Sequence, residues 1–180
     1  MFIDLVRNRR SVRSFEQRPV EPEKVKILVE AALRAPSSRR LNPWEFVVVT
    51  DREKLKELSR AKPHGAGFMA EAALGIVVLV DPERCDVWIE DASIAMIFIQ
   101  MAAESLELGS CWIQIRKRQH ESGSPASDPV KKLLDVPDRF EVEAMVAIGY
   151  PVKKPSPHGV ESLQHEKVHA DSYGKPFPVS

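Results

Sequence analysis

Cysteine is scarce in this 180-residue chain, with only two, at positions 85 and 111. Two cysteines cannot form the disulfide framework of a small secreted domain, and a reducing cytoplasm is the compartment this usage fits. An excess of one charge is also missing, since 26 Lys and Arg balance 26 Asp and Glu. The balance removes the bulk electrostatic drive toward polyanions, so no nucleic-acid partner is expected. Long hydrophobic runs are absent. Runs such as Ile76 to Val80 fall far short of the roughly 20 residues that span a bilayer, and no membrane partner is expected. The apolar start of the chain is broken by Asp4 and is too short for the core of a secretion signal. There is no internal repeat, no low-complexity block and no G-x-G-x-x-G dinucleotide fingerprint.

What is present is enough apolar material for a core: 43% of the residues are hydrophobic. Length and composition predict one domain over residues 1–180. Phe2 to Arg7 reads as a short helix, and Arg9 to Pro19 as an irregular basic segment. Pro22 sits where a helix-starting proline belongs, ahead of Val25, Leu28, Val29, Ala32 and Leu33 at helical spacing. The β-branched run 45–50 predicts a strand, and Asp51 an N-cap for the helix after it. A second strand lies within 72–81, and 86–108 carries the longest helical pattern. Its apolar middle, 92–103, predicts burial on every side, at the domain centre or a subunit interface. Gly109 reads as the glycine ending that helix. Strands follow at 110–115 and 140–150, separated by a polar loop and a helix that Asp128 and Pro129 would start. The tail from Pro151, rich in Pro, Lys and His, needs another surface to lie on. Strands and helices alternate, so the residues alone predict one sheet with helices packed on it, either α+β or α/β.

Three segments could carry chemistry. Arg9-Arg10-Ser11-Val12-Arg13 places three guanidiniums and a hydroxyl in five residues off any helical period, a composition suited to gripping phosphate. The bland alternative is a solvated basic turn. Ala35 to Trp44, with Ser37, Ser38, Arg40 and Asn42, connects a helix to a strand, where binding loops occur. Gly109 to Gln114 is the strand after the long helix, and its Cys111, with no His or basic neighbour in sequence, reads as a buried small hydrophobe. A fourth segment competes with these. His165-Glu166-Lys167-Val168-His169 fits H-E-x-x-H, which on a helix would make a zinc hydrolase. No carboxylate follows at a third-ligand spacing, and the segment lies in the proline-rich tail.

Taken in order, RRSVRSF, APSSRRLNPWEFVVV, the long helix running into LGSCWI, VAIGYP and EKVHADSYG resemble the nitroreductase-like family of FMN-dependent oxidoreductases. The likeness covers nearly the whole chain. It implies an α+β fold with a central, mainly antiparallel sheet flanked by helices, an extended C-terminal tail, and a homodimer with FMN at the subunit interface. It further implies that Arg9, Arg10, Ser11 and Arg13 hold the FMN phosphate and the polar edge of the flavin. Ser37, Ser38, Arg40 and Asn42 fall in the loop that reaches the flavin of the other subunit. Trp112, Ile113, Gln114 and Ile115 fall on the strand facing the ring, with the Gln114 main-chain N–H aimed at N5. A donor at N5 and a base near N1–O2 would stabilise the reduced ring, and no acid–base dyad is needed.

The likeness implies that NADH or NADPH is the electron donor. A small acceptor such as a nitroaromatic or a quinone would then react in a ping-pong cycle, with Arg40 and Arg116 facing it. The helix 86–108 would form the dimer core and the tail would wrap the partner. This chain departs from the family pattern in three places. Arg40 stands where Asn is common, Asn42 where Gln is common, and Val160 near the usual phosphate arginine. Lys153, Lys154 or His158 would have to substitute for that arginine. The alternatives are a flavin-binding relative that transforms or stores flavin, and the zinc hydrolase through His165, Glu166 and His169.

Overall fold

The computed structural model describes residues 1–178. Four strands form one sheet in the order β1-β2-β4-β3, and every pairing is antiparallel. They are β1 (Trp44–Val49), β2 (Leu74–Val80), β3 (Gly109–Gln114) and β4 (Glu141–Gly149). The two central strands are the apolar runs LGIVVLV and VEAMVAIG, and every residue of β2 is buried. Strands buried on both faces lose the polar alternation of a half-exposed sheet. The helices are α1 (Phe2–Asn8), α2 (Pro22–Leu33), α3 (Arg52–Leu58), α4 (Trp88–Ser105) and α5 (Ser127–Leu133). The α+β expectation holds.

Two cores sandwich the sheet. On one face α3, α5 and the turn 67–71 pack Leu55, Leu58, Met69 and Val130 against Val77, Met145 and Ala147, and Val12 and Phe15 join this cluster. On the other, α2 and α4 pack Leu28, Ala32, Ala92, Met96 and Ile99 against Ile76, Val78, Val146 and Ile148. Asp51 caps α3 as its sequence predicts, its carboxylate accepting the Lys54 N–H at 2.9 Å. Among the described residues, no helix is long and apolar enough to cross a membrane.

Several expectations need correction. The long helix is shorter than 86–108, and within one chain it leaves Ile97 and Phe98 42% and 39% exposed. Gly109 does not end it. Glu107 takes the left-handed position with φ 61°, and the Leu108 and Glu107 amides bond back to Ala103 and Glu104, the pattern that closes a helix. Gly109 instead opens β3, where an added Cβ would stand 2.8 Å from Val12. The glycine is there for close approach, not for a turn. Asp128 and Pro129 lie inside the first turn of α5, whose N-cap is Ala126. Finally, the β2–β4 register skips a residue: Val78 faces Ala144 but Leu79 faces Val142. Glu143 is therefore the extra residue of a bulge, a device that re-aims a side chain and bends a strand.

Candidate functional site

The basic N-terminal segment is stitched to the sheet. The Val12 N–H donates to the Ser110 carbonyl at 3.0 Å, and the Glu16 N–H to Tyr150 at 2.8 Å. Val12 and Phe15 are the anchors, 1% and 3% exposed. The residues between and before them are left to carry the site. Arg9, Ser11, Arg13 and Lys62 gather around Cys111. Burial pushes the Cys111 thiol up, and those cations with the Ser11 hydroxyl offset only part of the shift. Cys111 is thus a protonated, buried small side chain, as its sequence context predicts. Burial pushes the Lys62 ammonium down, and the neighbouring Arg118 adds to it. The Arg13 guanidinium lies 5.8 Å from the Phe68 ring centre.

Among the described residues, no ion pair involves Arg9, Arg10, Arg13, Lys62 or Arg118, whereas Arg7, Arg18, Arg34 and Arg60 each pair with a neighbouring carboxylate. Cations crowded together with no carboxylate among them offer donors to an anion. Arg10 is half-buried beside them in sequence but does not act on Cys111. Lys62 is the member that sequence reasoning missed. It sits in a short Gly- and Pro-containing loop, and no period marks which way it points.

The cluster lies at the start of β3, an edge strand. The Ile115 N–H donates to the Glu143 carbonyl at 3.3 Å, while Ser110 faces Val12 on the other side. Antiparallel alternation therefore turns the Trp112 and Gln114 amides away from β4, toward the open edge. The Gln114 side chain is engaged inward. Its Oε1 accepts the Trp112 indole N–H at 2.9 Å, and its Nε2 donates to the Arg116 and Glu143 carbonyls at 3.1 and 3.3 Å. Ile113 and Ile115 are buried core. Arg116 leaves the strand with its guanidinium 5.2 Å from the Trp88 ring centre and its Nε 3.8 Å from Glu143.

The loop at 37–42 is a separate site. The Ser37 hydroxyl donates to Asn42 Oδ1 at 2.6 Å and accepts the Asn42 N–H at 3.1 Å. The Ser38 N–H donates to Asp91 Oδ1 at 2.8 Å, and the Cys85 thiol to Asp91 Oδ2 at 3.3 Å. Asp91, on the first turn of α4, is 3% exposed. These bonds hold Arg39, Arg40 and Asn42 at φ 52°, 56° and 45°, backbone that non-glycine residues rarely adopt. The Asp81 N–H donates to Pro43 at 2.9 Å, which fixes the loop at the end of β2 remote from Ser110. Within one chain, Ser37, Ser38, Arg40 and Asn42 are therefore not brought to Arg9, Ser11 and Arg13.

Lys154 pairs with Glu104, and Lys153, His158 and Val160 are exposed. The zinc-site reading fails on geometry. His165–Lys167 is a single 3₁₀ turn, and His169 lies beyond it in a bridge to Pro176. Among the described residues, no group of three His, Cys, Asp or Glu could hold a metal.

An antiparallel four-stranded sheet between two helical layers is the α+β fold this chain shares with nitroreductase-like structures. A model of the nitroreductase family matches residues 6–66 and 56–150, and the chain belongs to that family of enzymes. An FMN-dependent nitroreductase from Clostridium difficile R20291 superposes with a TM-score of 0.93 at 42% identity, covering 95% of this chain and 99% of that one. A protein of Archaeoglobus fulgidus, provisionally named an NADH dehydrogenase/NAD(P)H nitroreductase, is 33% identical over 83% of this chain and 84% of its own length. The FMN reductase (NADPH) of Bacillus subtilis is 28% identical over 85% of this chain and 68% of its own.

Proposed function

We propose that this chain binds FMN as a homodimer and transfers electrons from NADH or NADPH to a small oxidising acceptor, a nitroaromatic or a quinone, in a ping-pong cycle. The observation that carries the reading is the set of unpaired cations at the start of β3. A phosphate dianion satisfies Arg9, Arg13 and the Ser11 hydroxyl without a carboxylate partner, and the donor set fits FMN in kind and in charge. FMN bound there supplies two-electron redox chemistry. The chain holds the phosphate with Arg9, Arg10, Ser11 and Arg13, and Lys62 adds positive charge beside them. It presents the outward Gln114 N–H along the edge of β3, where the ring would extend from the phosphate. It supplies no acid–base dyad, and the reading needs none.

Dimerisation is supported by two features. Phe2, Ile3 and Val6 on α1 and Ile97 and Phe98 on α4 are exposed apolar residues on helices that touch each other, a patch of the kind that marks an association surface. Within one chain the loop of Ser37, Ser38, Arg40 and Asn42 is also fixed at the end of β2 remote from Ser110 rather than at Arg9. A second copy would bring it there, with Arg40 and Arg116 facing the acceptor. The test is a visible absorption spectrum of the purified protein before and after anaerobic NADH, then NADPH. A flavin spectrum that bleaches is expected, and the effective nucleotide names the donor. Bound flavin that bleaches with neither would replace the reductase by a flavin-transforming or storage relative. A protein that stays colourless with added FMN would overturn the reading.

A further inference from the structure

Glu143 is the residue that the proposed reaction leaves unused and that the fold has most plainly arranged. It is the extra residue of the β4 bulge, and it is 4% exposed. A bulge at this place costs ladder bonds, yet here the Glu143 carbonyl is engaged. The single Glu143 carbonyl accepts the Ile115 N–H at 3.3 Å, the Arg116 N–H at 3.0 Å and the Gln114 Nε2 at 3.3 Å. Three consecutive residues at the exit of β3 are thus hung on one oxygen. The carboxyl is buried at the same exit. Its Oε2 has no hydrogen-bond partner and lies 3.8 Å from Arg116 Nε, too far for a hydrogen bond. A carboxyl buried with an unpartnered oxygen costs stability, and a bulge at this point could equally well carry an apolar side chain. Burial pushes the Glu143 carboxyl up, against the opposing pull of Gln114 and Arg116.

We propose that Glu143, carried to the exit of β3 by the bulge in β4, is a positioning residue that sets the reduction potential of the flavin bound along that strand. The inference rests on the reading that the Gln114 N–H faces the ring. The carbonyl of Glu143 fixes the strand exit, and hence the direction of that N–H. Its buried carboxyl, with the Arg116 guanidinium 3.8 Å away, sets the field the ring meets there. Reduction adds negative charge to the ring, so a buried carboxylate behind the amide opposes it and the guanidinium favours it. Fields of this kind act strongly where water is excluded.

The experiment compares the FMN-loaded wild-type protein with Glu143→Gln and Arg116→Gln. The FMN midpoint potential is measured spectroelectrochemically, beside the dissociation constant for oxidised FMN and the thermal midpoint. Removing the carboxylate should raise the reduced-to-oxidised FMN ratio at a fixed potential by about tenfold, and removing the guanidinium should lower it. Affinity for oxidised FMN should stay within about threefold in both, since neither residue belongs to the phosphate cluster. A merely structural role would shift both variants in the same direction, together with the thermal midpoint, and would overturn the proposal. So would unchanged potentials. If Glu143→Gln does not fold, Arg116→Gln alone decides by the sign of its shift. Wild-type protein that binds FMN and bleaches, with variants that leave the potential unmoved, sinks only this inference. Protein that binds no FMN sinks the flavin reading and this one together.

Discussion

Two irregular segments flank the ordered part of the chain, and they behave oppositely. Residues 9–16 have no periodic pattern, yet they are fixed to β3 and β4 by main-chain bonds and by Val12 and Phe15, which are almost fully buried. Residues 152–178 carry comparable apolar side chains, but Val160, Leu163 and Tyr173 remain 79%, 55% and 93% exposed. The contrast shows that irregular backbone is not loose backbone. What decides is whether anchors two or three residues apart find a complementary surface on the same chain. Gly109 and Gly149 provide that surface for the N-terminal segment, since a Cβ at either would press on Val12 or Phe15. The tail is held to the rest of the chain only near its start, by the Val152 N–H on the Ser14 carbonyl and by Lys154 on Glu104, and beyond that the bonds among its described residues are local, as in the bridge between His169 and Pro176 and the tilted packing of His169 on Tyr173, with ring centres 4.6 Å apart. In the proposed homodimer the missing surface belongs to the second copy.

The largest expected effect tests that contrast directly. Phe15→Ala should destabilise the fold by about 3–5 kcal/mol, the range for emptying a buried aromatic site. Tyr173→Ala, at the most exposed aromatic of the tail, should change the stability of the isolated fold by no more than about 0.5 kcal/mol. Urea unfolding monitored by circular dichroism reads both. Sedimentation at falling protein concentration should then show the reverse ranking for assembly, with Tyr173→Ala weakening association if the tail wraps a partner. Equal unfolding losses in the two variants would erase the distinction between anchored and unanchored segments.

The next effect concerns what the anchored segment carries. Arg9→Ala and Arg13→Ala each remove a charge-assisted contact of about 1.5–3 kcal/mol, so each should weaken FMN binding by roughly tenfold to a hundredfold. Fluorescence titration of the apoprotein with FMN measures it. Both residues project from a backbone pinned by Val12 and Phe15, so stability without FMN should hardly change. Stoichiometric FMN retained by both variants would remove the phosphate from this end of β3.

Much of this architecture is legible in the sequence because it is local. The proline opening α2, the cap at Asp51, the β-branched runs of β1 and β2 and the crowded arginines each act within a few residues. What escapes is set between segments. Gly109 looks like a helix stop because a glycine after a helical run commonly is one, and only the approach of Val12 shows otherwise. The bulge at Glu143 is a property of the β2–β4 register and cannot be read from either strand alone. Lys62 joins the arginines across the fold, from a loop with no period. Asp91, just ahead of the apolar middle, gives no local sign that the Ser38 amide reaches it. The apolar middle of α4 predicts burial correctly on the sheet side, while Ile97 and Phe98 stay partly exposed within one chain.

The smallest effect lies where the two segments meet the sheet, at Tyr150, the last residue before the tail. Its hydroxyl donates to Glu21 Oε2 at 2.6 Å and accepts from Lys24 Nζ at 2.9 Å, while Arg18 stacks over its ring with 3.8 Å to the ring centre. The Tyr150 hydroxyl, the Glu21 main chain and Arg18 hold the Glu21 carboxyl down at about 2, against an ordinary value of 4.5. A carboxyl depressed in the folded state contributes its stability in full above the unfolded value. That contribution falls as the pH drops through the window and is gone below the folded value. Tyr150→Phe removes the largest cause of the depression. The pH-dependent part of the difference between wild type and variant should therefore be constant above about pH 4.5, shrink steadily below it, and approach zero near pH 2. The group is open to solvent on one side, so the difference is screened and small. Urea midpoints of the two proteins at intervals between pH 2.5 and 7 read it directly. A gap that widens on acidification would show that Tyr150 acts through Lys24 or packing rather than through Glu21, and the junction between anchored segment and tail would then owe nothing to this carboxyl.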